Sequence, residues 1–279
     1  MKKRTRIGRR NAAFQRIEAL RRSRNKRTSE GAFIVDSVRA INLLFENLSW
    51  EIEALVYPAD TARSDWANEL LASERCGELV EISRELYPEL CDREDAQELF
   101  AIARIPDDSE RRIDLPEISS GDAPLILILD RINSPGNLGT LVRSSDALGV
   151  DGIVIFGHAA DLYAPETVRA SLGTLFTVPI IRSYAWAELD ALITRVKDTF
   201  EDAEVIGSSA NDGVHPEDLD LKKATLLILG NETSGMSRGF YERSDRYACV
   251  PMQGAASSMN IACAGTTLLY EAARQRRRR

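Results

Sequence analysis

The feature that most constrains this chain is a set of short runs that are apolar from end to end. "LILIL" (125–129), "GIVIF" (152–156) and "TLLIL" (225–229) lack the polar alternation of a sheet with one face in water. Such strands are buried on both faces. "VIGSS" (205–209) and "ACVPM" (248–252) are two further strand candidates, and helical periodicity falls at about 138–148, 165–172, 186–200 and 258–274. Strands alternating with helices predict an α/β fold built on a parallel sheet with helices on both faces.

The first 105 residues carry a second, smaller α/β pattern. A helix is expected around 11–22, where Phe14, Ile17 and Leu20 share a face. The strand "GAFIV" and the helix "DSVRAINLLFENL" follow, with Val38, Ile41, Leu44 and Phe45 as the apolar stripe of the helix. "IEALVY", "ELVEIS" and "AIARI" have strand character, and "DWANELLAS" and "REDAQELF" have helix character. Residues 106–123 are polar and contain prolines and a glycine, the composition of a linker. The expected division is a basic arm (1–27), a small domain (28–105), a linker (106–123) and a larger domain (124–279).

Charge is distributed unevenly. Residues 1–27 hold twelve Lys or Arg against one acid, and 272–279 add five arginines, in a chain whose net charge is −7. Basic ends on an acidic body fit a polyanionic partner, and equally a solvated arm without specific contacts. No apolar run approaches the roughly 18 residues of a membrane span, and the basic N-terminus is not followed by the apolar stretch of a signal peptide. Cys76, Cys91, Cys249 and Cys263 show no C-x-x-C spacing, and His158 and His215 are far apart. We expect reduced, mostly buried thiols, no metal site and a cytoplasmic location.

Three polar, glycine-rich stretches fall at the carboxyl ends of predicted strands, where open parallel sheets bind ligands. In "NSPGNLGTLVR", Asn133, Asn137 and Gly139 follow a strand; Asn137 can cap the next helix, and Arg143 lies six residues on, within reach of the loop. In "LILGNETSGMS", Gly230 allows close backbone approach, Asn231 and Glu232 supply acceptors, and Gly235 permits a tight turn. No lysine stands where a P-loop needs one. In "VPMQGAASSMN", Ser257 or Ser258 can cap the last helix, with Asn260 in its first turn. Taken singly, each stretch also fits an ordinary strand-to-helix turn.

Their order and spacing together resemble the SpoU (TrmH-like) branch of the SPOUT RNA methyltransferases. Asn137, Gly139 and Arg143 match that family's N-x-G-x-x-x-R; Gly230, Glu232 and Gly235 match G-x-E-x-x-G; "VPMQG" and Ser258–Met259–Asn260 match I-P-M-x-G and S-L-N. "VRASLGTLFTVPI" (168–180) is similar to a further family stretch, and the likeness covers about 121–275. Ala262 stands where many members have serine and is given no polar role. The N-terminal half is similar to the L30-like substrate-binding domain that precedes the catalytic domain in many members, with Asp36 and Ser37 in place of its common Glu-Gly.

The resemblance implies a deep trefoil knot, which strand and helix patterns would not suggest. It implies S-adenosylmethionine as cofactor, with Gly230, Val250 and Met259 contacting it and Ser208 and Ala210 near its adenine or ribose. It implies methyl transfer to a ribose 2′-hydroxyl of RNA, 23S ribosomal RNA before tRNA, with a non-catalytic RNA-binding assembly factor as the other alternative. Arg143 is then the central catalytic residue, as base or as electrostatic clamp. Asn137 would orient it or the ribose, Glu232 would hold the loop or the substrate hydroxyl, and Ser258 and Asn260 would complete the pocket. The family also implies a homodimer through the catalytic domain, with Arg143 reaching toward the partner's cofactor and the basic ends contacting RNA phosphates.

Overall fold

The computed structural model describes residues 2–91, 97–107 and 123–277. They divide into two compact units, Met1–Pro106 with Asp161–Phe176, and Asp107–Ala160 with Thr177–Arg279.

The first unit contains β1 (Lys3–Ile7), α1 (Ala12–Arg22), α2 (Arg24–Glu30), β2 (Ala32–Val35), α3 (Val38–Glu46), β3 (Ile52–Pro58), α4 (Asp65–Ala72), β4 (Cys76–Ile82) and β5 (Phe100–Arg104). The sheet order is β1-β4-β3-β5-β2, with β5 antiparallel to both its neighbours. Phe14, Ile17 and Leu20 of α1 close over Ile7, Val56, Val80 and Ile82 in one core. The stripe of α3 runs through Ala40, Ile41 and Leu44. Val38, expected on that stripe, is 56% exposed because it only begins the helix, next to the cap Ser37.

The basic N-terminus is not a free arm. Residues 3–7 form an edge strand on β4, and much of the positive charge is neutralised within the fold. Arg16 pairs with Glu30 and Glu53, Arg21 with Asp36 at 2.8 Å, and Arg27 with Asp161 at 2.8 Å. Lysine and arginine on an edge strand also discourage pairing with other chains. Of the expected "REDAQELF" helix (93–100), residues 93–96 lie outside the described residues, 97–99 are not helical and Phe100 instead begins β5, where the chain is drawn into the sheet beside β2 and β3. Most of the 106–123 linker also lies outside the described residues.

Residues 161–176, expected in the larger domain, belong to this first unit. They comprise α6 (Pro165–Ala170) and a 3-10 turn at Thr174–Phe176. Tyr163 lies 4.7 Å from Phe33 and Phe176 lies 4.9 Å from Trp50, ring centre to ring centre. Gly173, at φ 85°, lets its backbone meet Ala40, where an added Cβ would sit 2.4 Å from the Ala40 Cα. Arg169 reaches Asp36 at 3.0 Å. The segment thus shares its apolar and ionic partners with β2 and α3.

The second unit is a six-stranded parallel sheet of order β11-β9-β10-β6-β7-β8. Its strands are β6 (Leu125–Asp130), β7 (Gly152–Phe156), β8 (Ile180–Ser183), β9 (Glu204–Ser209), β10 (Thr225–Leu229) and β11 (Arg246–Cys249). Its helices are α5 (Pro135–Ala147), α7 (Trp186–Thr199), α8 (Arg238–Tyr241) and α9 (Ile261–Arg276). The three all-apolar runs are adjacent central strands, every residue buried. One face packs on α7 and α8 through Leu189, Leu192, Val196 and Phe240. On another part of the unit, Gly265 of α9 lies against Leu141 and Leu229, where a Cβ would come within 2.6 Å of both side chains.

Arg276, expected in an RNA-contacting tail, instead donates to the carbonyl oxygens of Leu221 at 2.7 Å and Lys223 at 2.6 Å, and to those of Ala123 and Pro124. It ties the end of α9 to the segments that enter β6 and β10. Arg274 pairs with Glu271 on the same helix. Arg278 and Arg279 lie outside the described residues. The four cysteines form no disulfide, but against expectation only Cys76 is buried: Cys91 and Cys249 are half-buried and Cys263 is exposed on the outer side of α9. Among the described residues no helix is long and apolar enough to cross a membrane. None of their His, Cys, Asp and Glu side chains group into a metal-binding set.

Candidate active site

A cavity of about 230 Å³ opens beyond the carboxyl ends of β11, β9 and β10. Its lining combines apolar Met236, Ala248, Met252, Ile261 and Leu268 with polar Ser209, Asn231 and Thr233. All five residues expected to hold the cofactor, Ser208, Ala210, Gly230, Val250 and Met259, line it. Gly230 is required by packing: an added Cβ would sit 2.2 Å from the Met236 nitrogen and 2.4 Å from the Gly235 carbonyl carbon. That contact is backbone on backbone, so a side chain cannot swing clear.

Beside the cavity, three segments distant in sequence are joined by hydrogen bonds. Glu232 accepts from the backbone N–H of Asn133 at 3.1 Å, that of Ser134 at 3.3 Å and the Asn137 Nδ2 at 3.2 Å. The Asn137 Oδ1 accepts from the Asn260 Nδ2 at 3.1 Å. Asn260 in turn caps α9, its Oδ1 accepting from the N–H groups of Ala262 at 2.9 Å and Cys263 at 3.3 Å. One polar chain therefore runs from the 230s loop through the start of α5 to the start of α9. Burial tends to raise the Glu232 pKa, but hydrogen bonds from its own backbone, Asn133, Asn137 and Ser134 outweigh it, and the carboxyl is held below the ordinary range. It stays ionised at neutral pH.

The caps differ from expectation. Ser134, not Asn137, caps α5, accepting from the Asn137 N–H at 3.3 Å, with Pro135 at the first helical position. Asn260, not Ser257 or Ser258, caps α9. The first shift leaves the Asn137 side chain free to bridge, and in the second Asn260 caps with its Oδ1 while its Nδ2 reaches Asn137. Ser258 is exposed and lines the cavity, but makes no hydrogen bond with the described residues.

Arg143 does not join the cluster. Six residues of helix place it about 9 Å along the axis and roughly 120° around it from Asn137. It is exposed on α5 and makes no ion pair or hydrogen bond with the described residues. Arg143 is near the loop along the chain, but this rotation turns it to another side of α5.

Two supporting groups were not singled out in their structural roles. Asn231 is buried; its Oδ1 accepts from the Thr233 and Ser234 N–H groups at 2.9 and 3.0 Å, and its Nδ2 donates to the Arg131 carbonyl at 2.8 Å. Asp130, fully buried, accepts from the Ser237 N–H at 2.6 Å. Together they fasten the 230s loop to the end of β6. Asn231 followed by Thr-Ser-Gly carried the signature of an asparagine-centred turn. Nothing near Asp130 marked it among its apolar neighbours.

A parallel sheet with a cavity at its carboxyl edge, bounded by these three loops, is the arrangement of the SPOUT methyltransferases. Within that class the chain belongs to the SpoU rRNA methylase family, whose pattern matches residues 124–270; residues 11–101 match the SpoU L30e-like domain. It is 39% identical to a 23S rRNA (uridine(2479)-2′-O)-methyltransferase of Streptomyces viridochromogenes, across 97% of this chain and 92% of that one. The crystal structure of the SpoU methyltransferase AviRb from Streptomyces viridochromogenes in complex with AdoMet superposes with a TM-score of 0.83 at 37% identity, covering 95% of this chain and 99% of that one. An AdoMet-bound rRNA methyltransferase from Sinorhizobium meliloti gives 0.80 at 26% identity, covering 97% and 98%.

Proposed function

We propose that this protein transfers a methyl group from S-adenosylmethionine to a ribose 2′-hydroxyl of 23S ribosomal RNA, in the cytoplasm. The observation that carries the reading is the hydrogen-bonded chain Glu232–Asn137–Asn260 beside a cavity lined by Ser208, Ala210, Gly230, Val250 and Met259. An apolar lining interrupted by backbone and hydroxyl groups suits a flat adenosine with a sulfonium side chain. The similarity to 2′-O-methyltransferases along nearly the whole chain supports the same chemistry.

The cofactor, when bound, supplies an electrophilic methyl group. Glu232 is spent on holding the loop: both its oxygens accept from donors of 133–137 and its pKa is depressed, so it makes a poor base. Asn137 and Asn260 fix the mouth of the cavity and orient the ribose, and Ser258 offers it a free hydroxyl. Positioning of this kind is worth up to ~7–11 kcal/mol of a bimolecular barrier. Arg143 acts as a cation that holds an RNA phosphate and stabilises charge developing on the 2′-oxygen.

The active form is a homodimer through the second unit. Arg143 is exposed on α5, and α9 presents Cys263, Thr267 and Tyr270, the last 50% exposed. Joining two copies over this face would let each Arg143 serve the partner's site, which accounts for its distance from its own cluster. The C-terminal region adopts the family's trefoil knot.

The test is transfer of labelled methyl from S-adenosylmethionine to purified 23S rRNA, 16S rRNA and bulk tRNA. Label should enter 23S rRNA and resist alkaline cleavage at the modified position. Label in tRNA alone would refute the ribosomal assignment.

A further inference from the structure

The carboxyl edge of the parallel sheet extends beyond the cavity. The cavity occupies the β11–β9–β10 half, and the ends of β6, β7 and β8 carry the side chains of Arg131, His158 and Tyr184. The pairing holds these positions level. Asp130 pairs with Phe156, and Phe156 with Ser183. The ladder runs one step further: the Arg131 N–H donates to the Phe156 carbonyl at 3.1 Å, and the Gly157 N–H to the Ser183 carbonyl at 2.9 Å.

The side chains here are arranged for display rather than packing. Tyr184 is 58% exposed and His158 is exposed beside it, their ring centres 6.1 Å apart and their planes inclined by 57°. Arg131 takes φ 55°, a left-handed conformation that L side chains rarely adopt. Gly157, at φ 72°, leaves room for its stem: a Cβ there would lie 3.2 Å from the Arg131 Cγ. Asp130 grips the guanidinium at 2.7 and 3.2 Å, yet the Arg131 side chain remains 38% exposed. An unusual backbone, a glycine and a buried carboxylate thus converge to hold one cation at the sheet edge that also carries the two exposed rings, and its Nη2 lies 3.5 Å from the Gly235 carbonyl of the 230s loop. The loop 133–137 of the active-site cluster begins two residues beyond Arg131.

We propose that Arg131, His158 and Tyr184 form a platform for the RNA nucleotides that flank the target ribose. The rings stack unpaired bases and Arg131 holds a phosphate. Sequence-selective RNA recognition works largely on unstacked bases laid on aromatic faces, and stacking on exposed rings tolerates any base. The platform rests on the RNA-methyltransferase reading above and adds to it the surface that grips the substrate.

The test measures binding of a 23S rRNA fragment by anisotropy and S-adenosylmethionine affinity by calorimetry on the same proteins. His158→Ala and Tyr184→Ala should each weaken RNA binding about tenfold, and the double variant about a hundredfold, while Tyr184→Phe stays within about twofold of wild type. Arg131→Gly, which suits the left-handed backbone, should weaken RNA binding and lower the salt dependence by about one phosphate contact. Cofactor affinity and thermal midpoint should hold in both ring variants, because both rings are exposed. RNA affinity within twofold of wild type in the double variant would overturn the platform. Wild-type protein that binds the cofactor yet methylates no RNA would overturn the reading it rests on, whatever the variants do.

Discussion

Replacing Glu232 with glutamine tests the structural logic of the site most sharply. The carboxylate accepts from the N–H groups of Asn133 and Ser134 and from the Asn137 Nδ2. Glutamine keeps the shape but offers one acceptor oxygen, and turns an NH₂ toward donors. Hydrogen bonds to a charged group contribute about 1.5–3 kcal/mol each. Glu232 is exposed, so water can replace part of each bond and the net loss should fall to about 1–2 kcal/mol. For a unit of this size that lowers the thermal midpoint by roughly 2–8 °C. The loop 133–137 would lose its anchor and methyl transfer should fall at least about tenfold, an effect worth ~1.4 kcal/mol. The variant also carries a pH signature. The folded-state pKa of Glu232 is depressed, so its contribution is complete above the unfolded-state value of about 4.3 and is lost as pH falls through the lower folded value. Stability profiles of wild type and Glu232→Gln should therefore run parallel above about pH 5 and converge in acid. Differential scanning fluorimetry across pH, with single-turnover methylation at neutral pH, measures both effects. A variant matching wild type in midpoint and turnover would show that Glu232 does not hold the loop.

Gly230→Ala should weaken S-adenosylmethionine binding at least about tenfold by calorimetry, because the added Cβ meets the backbone of Gly235 and Met236. Arg143→Ala should abolish methylation and leave cofactor affinity within a few-fold; near-normal turnover would remove Arg143 from the mechanism. Arg27→Met should destabilise the first unit by about 3–5 kcal/mol in urea titrations, since it takes the buried partner from Asp161 and the donors from the Leu20 and Arg21 carbonyls.

The parts of this molecule that could be read from sequence are those governed by local pattern. β6, β7 and β10 announced themselves because all their residues except the terminal Asp130 and Thr225 are apolar or glycine, and they form the centre of the parallel sheet. β1 escaped notice because "KRTRI" has a single buried residue, Ile7; an edge strand takes its conformation from its neighbour β4, not from its own pattern. β8 escaped as well, since only Ile180 and Ser183 of its four residues are buried. The site loops were legible as polar stretches at strand ends. Which side chain met which was not, because Glu232 and Asn137 lie 95 positions apart and are joined only by the fold. Ser134 before Pro135 was a readable cap, passed over in favour of Asn137. Residues 161–176 read as part of the larger domain by sequence order, while their ionic and aromatic partners, Arg27, Asp36, Phe33 and Trp50, lie more than a hundred residues earlier.

The central claim is that the cluster beside the cavity directs a methyl group onto one RNA sugar. Nucleotide-resolution mapping of 2′-O-methylation in 23S rRNA, after incubation with the protein and S-adenosylmethionine, addresses it directly. One new ribose methyl at a single position, missing with the Asn137→Ala variant, is the predicted result. Methylation confined to a base, or a ribose methyl undiminished in Asn137→Ala, would contradict it.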